Sequence, residues 1–277
     1  MATSEGHATD FAPAAFHPPH VRGRWNAGRI TAAFLTALTP PLAVALYQRP
    51  AAAASLLVLS AAIVLAWHAL FAWWRGRAFT LDGLVTAAAF ALMLPAGSAA
   101  WQVAIALSFG VVVGEQIFGG RGRNFLNSSV IALAFLIFSF PAAGYDRGGP
   151  ELALASLPGA VLLIASGLIS WRVVAAAAAG FVAAAFAFGL ADPFAGLLAG
   201  SFAFAVVFLA CDPVTAASTN PGRWLYGLIV GGLTALGRAS DAGDGTVFAI
   251  LIASMFAPLI DQAVIQINVV GRRRRYG

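Results

Sequence analysis

A chain of 277 residues that is 60% hydrophobic and only 10% charged has too little polar surface to cover a water-soluble globule of its size. A soluble enzyme is thereby excluded, and an all-α integral membrane protein is the class that remains. The net charge of +5 rests on sixteen arginines and no lysine, and the lone cysteine, Cys211, excludes an internal disulfide or a cysteine-ligated cluster within the chain.

Residues 1–28 mix Pro, His and Gly without apolar periodicity and read as a disordered cytoplasmic arm. His7, His17 and His20 are spaced irregularly there, which suits solvated histidines better than a metal site. The apolar run that follows starts too late and runs too long for a cleavable signal peptide. Windows of about 17–25 apolar residues then predict ten helices, at 30–47, 51–74, 81–95, 101–118, 125–141, 152–171, 173–190, 193–211, 224–237 and 245–270. Two of them, 81–95 and 224–237, are short enough to be half-helices or re-entrant pieces. Pro40, Pro41 and Pro258 predict kinks, and the alanine-rich stretch 173–186 predicts a close helix–helix face. One membrane domain, 29–271, with five spans in each half, precedes a basic cytoplasmic tail, 272–277. The terminal run Arg272, Arg273, Arg274 and Arg275 abuts a span, so anionic lipid accounts for it more simply than nucleic acid does.

Orientation follows from the arginines, because cytoplasmic loops retain the basic excess. With ten crossings and the N-terminus inside, thirteen arginines fall on the inner side and three, Arg49, Arg147 and Arg238, on the outer. The acids Asp146, Glu151, Asp192, Asp241 and Asp244 fall outside as well, so both termini are predicted cytoplasmic.

Two glycine-punctuated polar segments interrupt this oily background: residues 119–127 (GGRGRNFLN) and 211–227 (CDPVTAASTNPGRWLYG). Each follows a span that closes on an acid, Glu115 or Asp212, and each reaches a Gly-Arg pair that should open the next span. Matching breaks in two halves suggest a duplicated fold with a site between the repeats. Five spans per repeat would invert the second half, however, so two cytoplasmic breaks are either not symmetry mates or one of them re-enters the bilayer.

Glu115, Asp212, Asp82 and Asp261 stand within or at the ends of spans, where an ionisable group must be paired or face water. With Arg121, Arg123 and Arg223 at the same level they predict an ion-paired inner vestibule. Asn124, Asn127, Thr215, Ser218, Thr219 and Asn220 add neutral donors and acceptors suited to a flavin or quinone edge, and Trp224 and Tyr226 are either ring-stacking or interfacial belt residues. His68, beside Trp67 and near Trp73 and Trp74, reads as a hydrogen-bonded interfacial residue, and one histidine cannot supply a bis-histidine haem. No phosphate loop, HExxH or nucleophile elbow is present. No catalytic residue and no metal ligand is therefore named.

Residues 94–101 (LPAGSAAW) with 109–127 (FGVVVGEQIFGGRGRNFLN), 211–227, and 247–268 (VFAILIASMFAPLIDQAVIQIN) resemble, in order, the NqrB/RnfD membrane subunits of the sodium-translocating NADH:quinone oxidoreductase and of the Rnf complex. The resemblance implies ten helices in two five-helix repeats related to urea-transporter-like channels, a flavin on an electron path, and partner membrane subunits in a bacterial inner membrane. It assigns flavin contacts to Asn124, Asn127 and Asp212, with Arg123, Thr215 and Arg223 as neighbours, and cation or proton handling to Asp82 and Glu115. Family members with covalent FMN carry it on the threonine of a Ser-Gly-Ala-Thr segment, where this chain has Ser156-Leu157-Pro158-Gly159-Ala160-Val161. Valine has no hydroxyl, so no phosphoester can form at Val161; Ser156 is the nearest alternative. The expected function is a redox subunit with a non-covalent riboflavin or FMN and quinone or protein partners. The alternatives are a redox-inactive structural subunit and a small-solute or ion conduit.

Overall fold

In the computed structural model, residues 25–94, 98–141, 149–199, 201–240 and 245–276 are described. The N-terminal arm up to residue 24, Asp146, Arg147, Asp241 and Asp244 lie outside them, as do the side chains of the terminal arginine run. The described residues are helical and contain no strand: α1 (Ala27–Gln48), α2 (Pro50–Trp74), α3 (Gly83–Leu92), α4 (Ala100–Val111), α5 (Ser128–Ser139), α6 (Pro150–Ala165), α7 (Trp171–Ala187), α8 (Ala195–Leu198), α9 (Phe202–Ala205), α10 (Asn220–Ala239) and α11 (Thr246–Tyr276). Five-residue π-helical segments extend α4 (Val112–Gln116) and α9 (Val206–Ala210).

Three stretches, Ala27–Gln48, Pro50–Trp74 and Thr246–Val270, are long and apolar enough to cross a bilayer unaided. Every predicted span overlaps a helical segment, with two differences in the pattern of breaks. The half-helix expected at 224–237 is part of the 20-residue α10, because Thr219 caps it by accepting from the Gly222 amide at 3.2 Å and a proline sits in its first turn. The broken element is 193–211 instead, where Pro193 and Gly196 reduce the chain to the single turns α8 and α9 before the π segment. The ten-residue α3 is short, as the 81–95 window suggested. Helix α1 continues through Pro40 and Pro41 and α11 through Pro258, while the backbone of α11 carries the predicted tail on as helix to Tyr276.

Small residues fix the closest packing. A Cβ on Gly227 would stand 2.6 Å from the Val173 carbonyl oxygen and one on Gly180 2.6 Å from that of Leu228, so α7 and α10 touch backbone to backbone along the alanine-rich face. Elsewhere α1 lies on α6, α2 on α3 and α4, and α4 on α5. These contacts gather α2, α3, the π end of α4 and the start of α5 around one set of polar side chains.

Candidate functional site

Both polar segments begin where a helix loosens. The Ile117 amide reaches the Val112 carbonyl at 2.9 Å and the Cys211 amide that of Val206 at 3.0 Å, each a five-residue step rather than the four of an α-helix. Glu115 and Gln116 lie inside the first wide turn, and Cys211 and Asp212 follow the second. The chain downstream differs between the two. Gly122-Arg123 sits in a loop, with Gly122 at φ +88°, whereas Gly222-Arg223 forms the first turn of α10. The expectation that each Gly-Arg pair opens the next span therefore holds for the second pair and not for the first, which suits the alternative that the two breaks are not symmetry mates.

The segments meet at Asn127 and Asp212, 85 residues apart. Asn127 Nδ2 donates to Asp212 Oδ2 at 2.9 Å. Asn127 Oδ1 caps α5 by accepting from the Ser129 amide at 2.9 Å, and Asp212 Oδ1 accepts from the Val214 amide at 3.0 Å. Both side chains are buried, and their polar atoms are satisfied within the chain, as burial in apolar surroundings requires. Asn124 serves its own loop, accepting from the Gly122 amide at 3.1 Å and donating to the Leu126 carbonyl at 2.8 Å.

His68 on α2 is the residue that sequence reasoning misplaced. It is 6% exposed and lies between two carboxylates, Nδ1 at 3.5 Å from Asp82 Oδ1 and Nε2 at 3.2 Å from Glu115 Oε1. Its Nε2 is off the line that a hydrogen bond needs and has no other partner. Glu115, 1% exposed, accepts from Ser128 Oγ on Oε2 at 3.2 Å and from Gln116 Nε2 on Oε1 at 3.4 Å. Asp82 lies in the loop ahead of α3 and accepts from Thr80 Oγ1 at 2.5 Å. The signal that would have found His68 is the one applied to the acids: an ionisable side chain inside an apolar span needs a partner at its own depth.

The expected acid–arginine vestibule takes a different form. Arg121 donates to the Asp82 backbone carbonyl at 3.0 Å, Arg77 to that of Gly119 at 2.9 Å, and Arg75 to the Gln116 carbonyl and side chain. Arg223 Nε donates to the Ala217 carbonyl at 3.3 Å, and the Asp261 carboxylate accepts from the amides and hydroxyls of Ser218 and Thr219 at 2.5–3.0 Å. Asp82 and Glu115 thus meet a histidine and hydroxyls, Asp261 hydroxyls and amides, and Asp212 a carboxamide and an amide, while the Arg121 and Arg223 guanidinium groups are taken up by backbone carbonyls.

Two spaces border this cluster. A closed cavity of about 10 Å³, room for one water, is lined by Glu115, Arg121, Asn124, Asn127, Ser128 and Asp212. An open cleft of about 240 Å³ is lined by His68, Arg75, Arg77, Asp82, Glu115 and Arg121, so Glu115 and Arg121 face both. Of the residues named from the sequence, Asn124, Asn127, Asp212 and Glu115 share the closed cavity, and Asp82 lies on the cleft. Arg123, Thr215 and Arg223 border neither: Arg123 is exposed and lies along Gly119, and Thr215 is buried with its hydroxyl unpartnered. Tyr226 is fully buried, donating to the Ala210 carbonyl at 3.1 Å and 3.1 Å from Ser254 Oγ, while Trp224 is exposed against Trp171. The first is a core residue rather than a stacking platform.

The profile of the NQR2, RnfD, RnfE family matches residues 15–145 and 144–270, so it covers both polar segments and the helices between them. The chain belongs to this family. Among its curated members, the NqrB subunit of the Na(+)-translocating NADH-quinone reductase of Stutzerimonas stutzeri (strain A1501) is 34% identical over 76% of this chain and 66% of its own length. The same subunit of Pseudomonas aeruginosa (strain LESB58) is 33% identical with the same coverage, and that of Chromohalobacter salexigens is 34% identical over 76% of this chain and 64% of its own. This NQR2, RnfD, RnfE family member therefore spans about two thirds of the length of the relatives it matches.

Proposed function

We propose that this chain is a membrane subunit of a bacterial electron-transport complex, holding a non-covalent flavin, riboflavin or FMN, near the cytoplasmic side and relaying electrons with cation movement as the coupled step. The reading is supported by family membership together with one geometric observation, the Asn127–Asp212 hydrogen bond that ties the two polar segments into one site. Residues matching the family's flavin contacts are Asn124, Asn127 and Asp212, with Arg123, Thr215 and Arg223 beside them.

Part of the donor set suits a flavin. Asn124, Asn127 and Thr215 offer neutral amides and a hydroxyl to a flavin edge, Asp212, Arg123 and Arg223 add charge beside it, and the buried Thr215 hydroxyl still lacks a partner. A flavin supplies one-electron chemistry, while the protein orients it and sets its potential. Asn127 and Asp212 hold each other and the start of α5, and so fix the spacing between segments. Glu115 and Asp82 are the groups that handle the charge moving with the electron. Other membrane subunits, lipid and a quinone are the partners, and the inner membrane with both termini cytoplasmic is the location.

The closed cavity has room for one water rather than a ring. That observation favours a second reading, a redox-inactive structural subunit, and under the first it puts the ring at the rim of the segments. A visible absorption spectrum of the purified protein separates them. Flavin bands that disappear in Asp212→Ala while the protein stays inserted support the redox reading; their absence from the wild type leaves the structural one.

A further inference from the structure

The family's relatives are named for sodium translocation, but the acids assigned above to ion handling are separated by an imidazole ring. We propose that His68, held between Asp82 and Glu115 at the inner end of the open cleft, is a proton-binding site, and that its ring fills the space a sodium ion would need between the two carboxylates. This rests on the reading above only in assigning Asp82 and Glu115 to ion handling.

The ring is held firmly in place. Trp67 Nε1 donates to Ser108 Oγ at 2.9 Å, pinning α2 to α4 beside it, and α3 approaches so closely that a Cβ on Gly83 would stand 2.9 Å from the imidazole. Each ring nitrogen faces a carboxylate oxygen. A neutral imidazole has one N–H and one lone pair, so with both acids ionised its lone pair would face a negative oxygen in a buried place. One added proton removes that conflict: it makes the ring an imidazolium, or it sits on Glu115 and leaves the ring neutral. The transfer between these forms is balanced, since the Nε2–H bond breaks, an O–H bond forms on Oε1, and imidazolium plus carboxylate becomes imidazole plus carboxylic acid. The proton enters from bulk solvent through the cleft as hydronium and leaves a water molecule behind. Glu115 then holds it at the boundary, with Oε1 toward His68 and Oε2 toward Ser128 on the wall of the closed cavity.

The surroundings disfavour a metal cation. No three carboxylate, histidine or cysteine groups among the described residues converge on a point that could hold a metal ion. The charged groups around the ring are Asp82 ahead of α3, Glu115 at the end of α4, Arg75 and Arg77 beyond α2, and Arg121 in the loop after the π segment. Three guanidinium groups on the rim oppose any entering cation alike, so the choice between a proton and a sodium ion falls to the space between the carboxylates, which the ring fills.

The test uses the full chain, ¹⁵N-labelled at histidine, in lipid bilayers at neutral pH. The chain has four histidines, and the His68 resonances are those missing from His68→Gln. The expected wild-type result is a ring carrying or exchanging the extra proton, unmoved when sodium chloride replaces choline chloride at equal ionic strength. The double variant Asp82→Asn/Glu115→Gln should show an ordinary neutral ring. Thermal unfolding gives the second measurement: wild-type Tm should be equal in sodium and choline, and His68→Gln, which leaves the acids facing each other, should gain several degrees in sodium. A neutral, freely titrating wild-type ring overturns the proposal, and so does a wild-type Tm that rises with sodium. The wild-type Tm comparison needs no variant and stands even where His68→Gln fails to fold. Loss of flavin absorbance would sink the cofactor reading and leave the ring spectrum unchanged, so the two failures are distinguishable.

Discussion

Asp212 has one carboxylate oxygen for its own loop and one for Asn127 in the other segment. Asp212→Ala therefore strands a buried carboxamide and a backbone amide at once, and should lower stability by about 1–3 kcal/mol, read as a fall in Tm of the detergent-solubilised protein. An unchanged Tm together with an unchanged absorption spectrum would remove the convergent site. At Val161 the expectation is chemical. The side chain is 66% exposed on α6 and has no oxygen, while the Ser156 hydroxyl five residues earlier is fully buried and donates to the Leu152 carbonyl at 2.7 Å. The denatured chain should show no flavin fluorescence in a gel at its own mass, and a fluorescent band there would overturn this. The acids and amides were legible in the sequence because buried polarity stands out in an apolar chain. The role of His68 was not, because its neighbour in sequence is Trp67, whereas its neighbours in space come from 14 and 47 positions further on.

At the level of elements, α7 and α10 offer a matched pair of substitutions. Gly227→Ala puts a methyl group 2.6 Å from the Val173 carbonyl oxygen, and Gly232→Ala on the same helix meets nothing within 4 Å. The first should part the helices and lower Tm by several degrees; the second should be neutral or stabilise by up to about 1 kcal/mol, since alanine is the better helix former. Equal effects would show that the close approach does not hold this pair together. The alanine-rich run at 173–186 announced such a face in advance. Where the helices break was less legible, because hydropathy windows count apolar residues and ignore turn geometry: 193–211 is as oily as its neighbours but carries Pro193 and Gly196, while 224–237 lost its first turn to the polar letters of Asn220, Gly222 and Arg223.

For the whole molecule, thirteen of sixteen arginines on one predicted side is the kind of bias that membrane insertion reads. A reporter fused after Gly277 should be active only in the cytoplasm, and periplasmic activity would require an odd number of crossings and end the two-repeat argument. Helix content and membrane class were plain in the composition. How helices pair was not, since α1 meets α6 and α7 meets α10 across long stretches of chain whose apolar surfaces are interchangeable in sequence.

The wide turns at Val112–Gln116 and Val206–Ala210 have a consequence for insertions and deletions. Each holds one residue more than a regular turn, and one residue is about 100° of rotation. Removing a single codon inside either would leave a perfectly regular apolar helix, harmless to hydropathy and to membrane insertion. It would also redirect the side chains inside the turn, Glu115 among them, while the chain beyond keeps its heading. At the first of these places, then, a frame-preserving deletion would perfect the helix only by turning Glu115 away from Ser128.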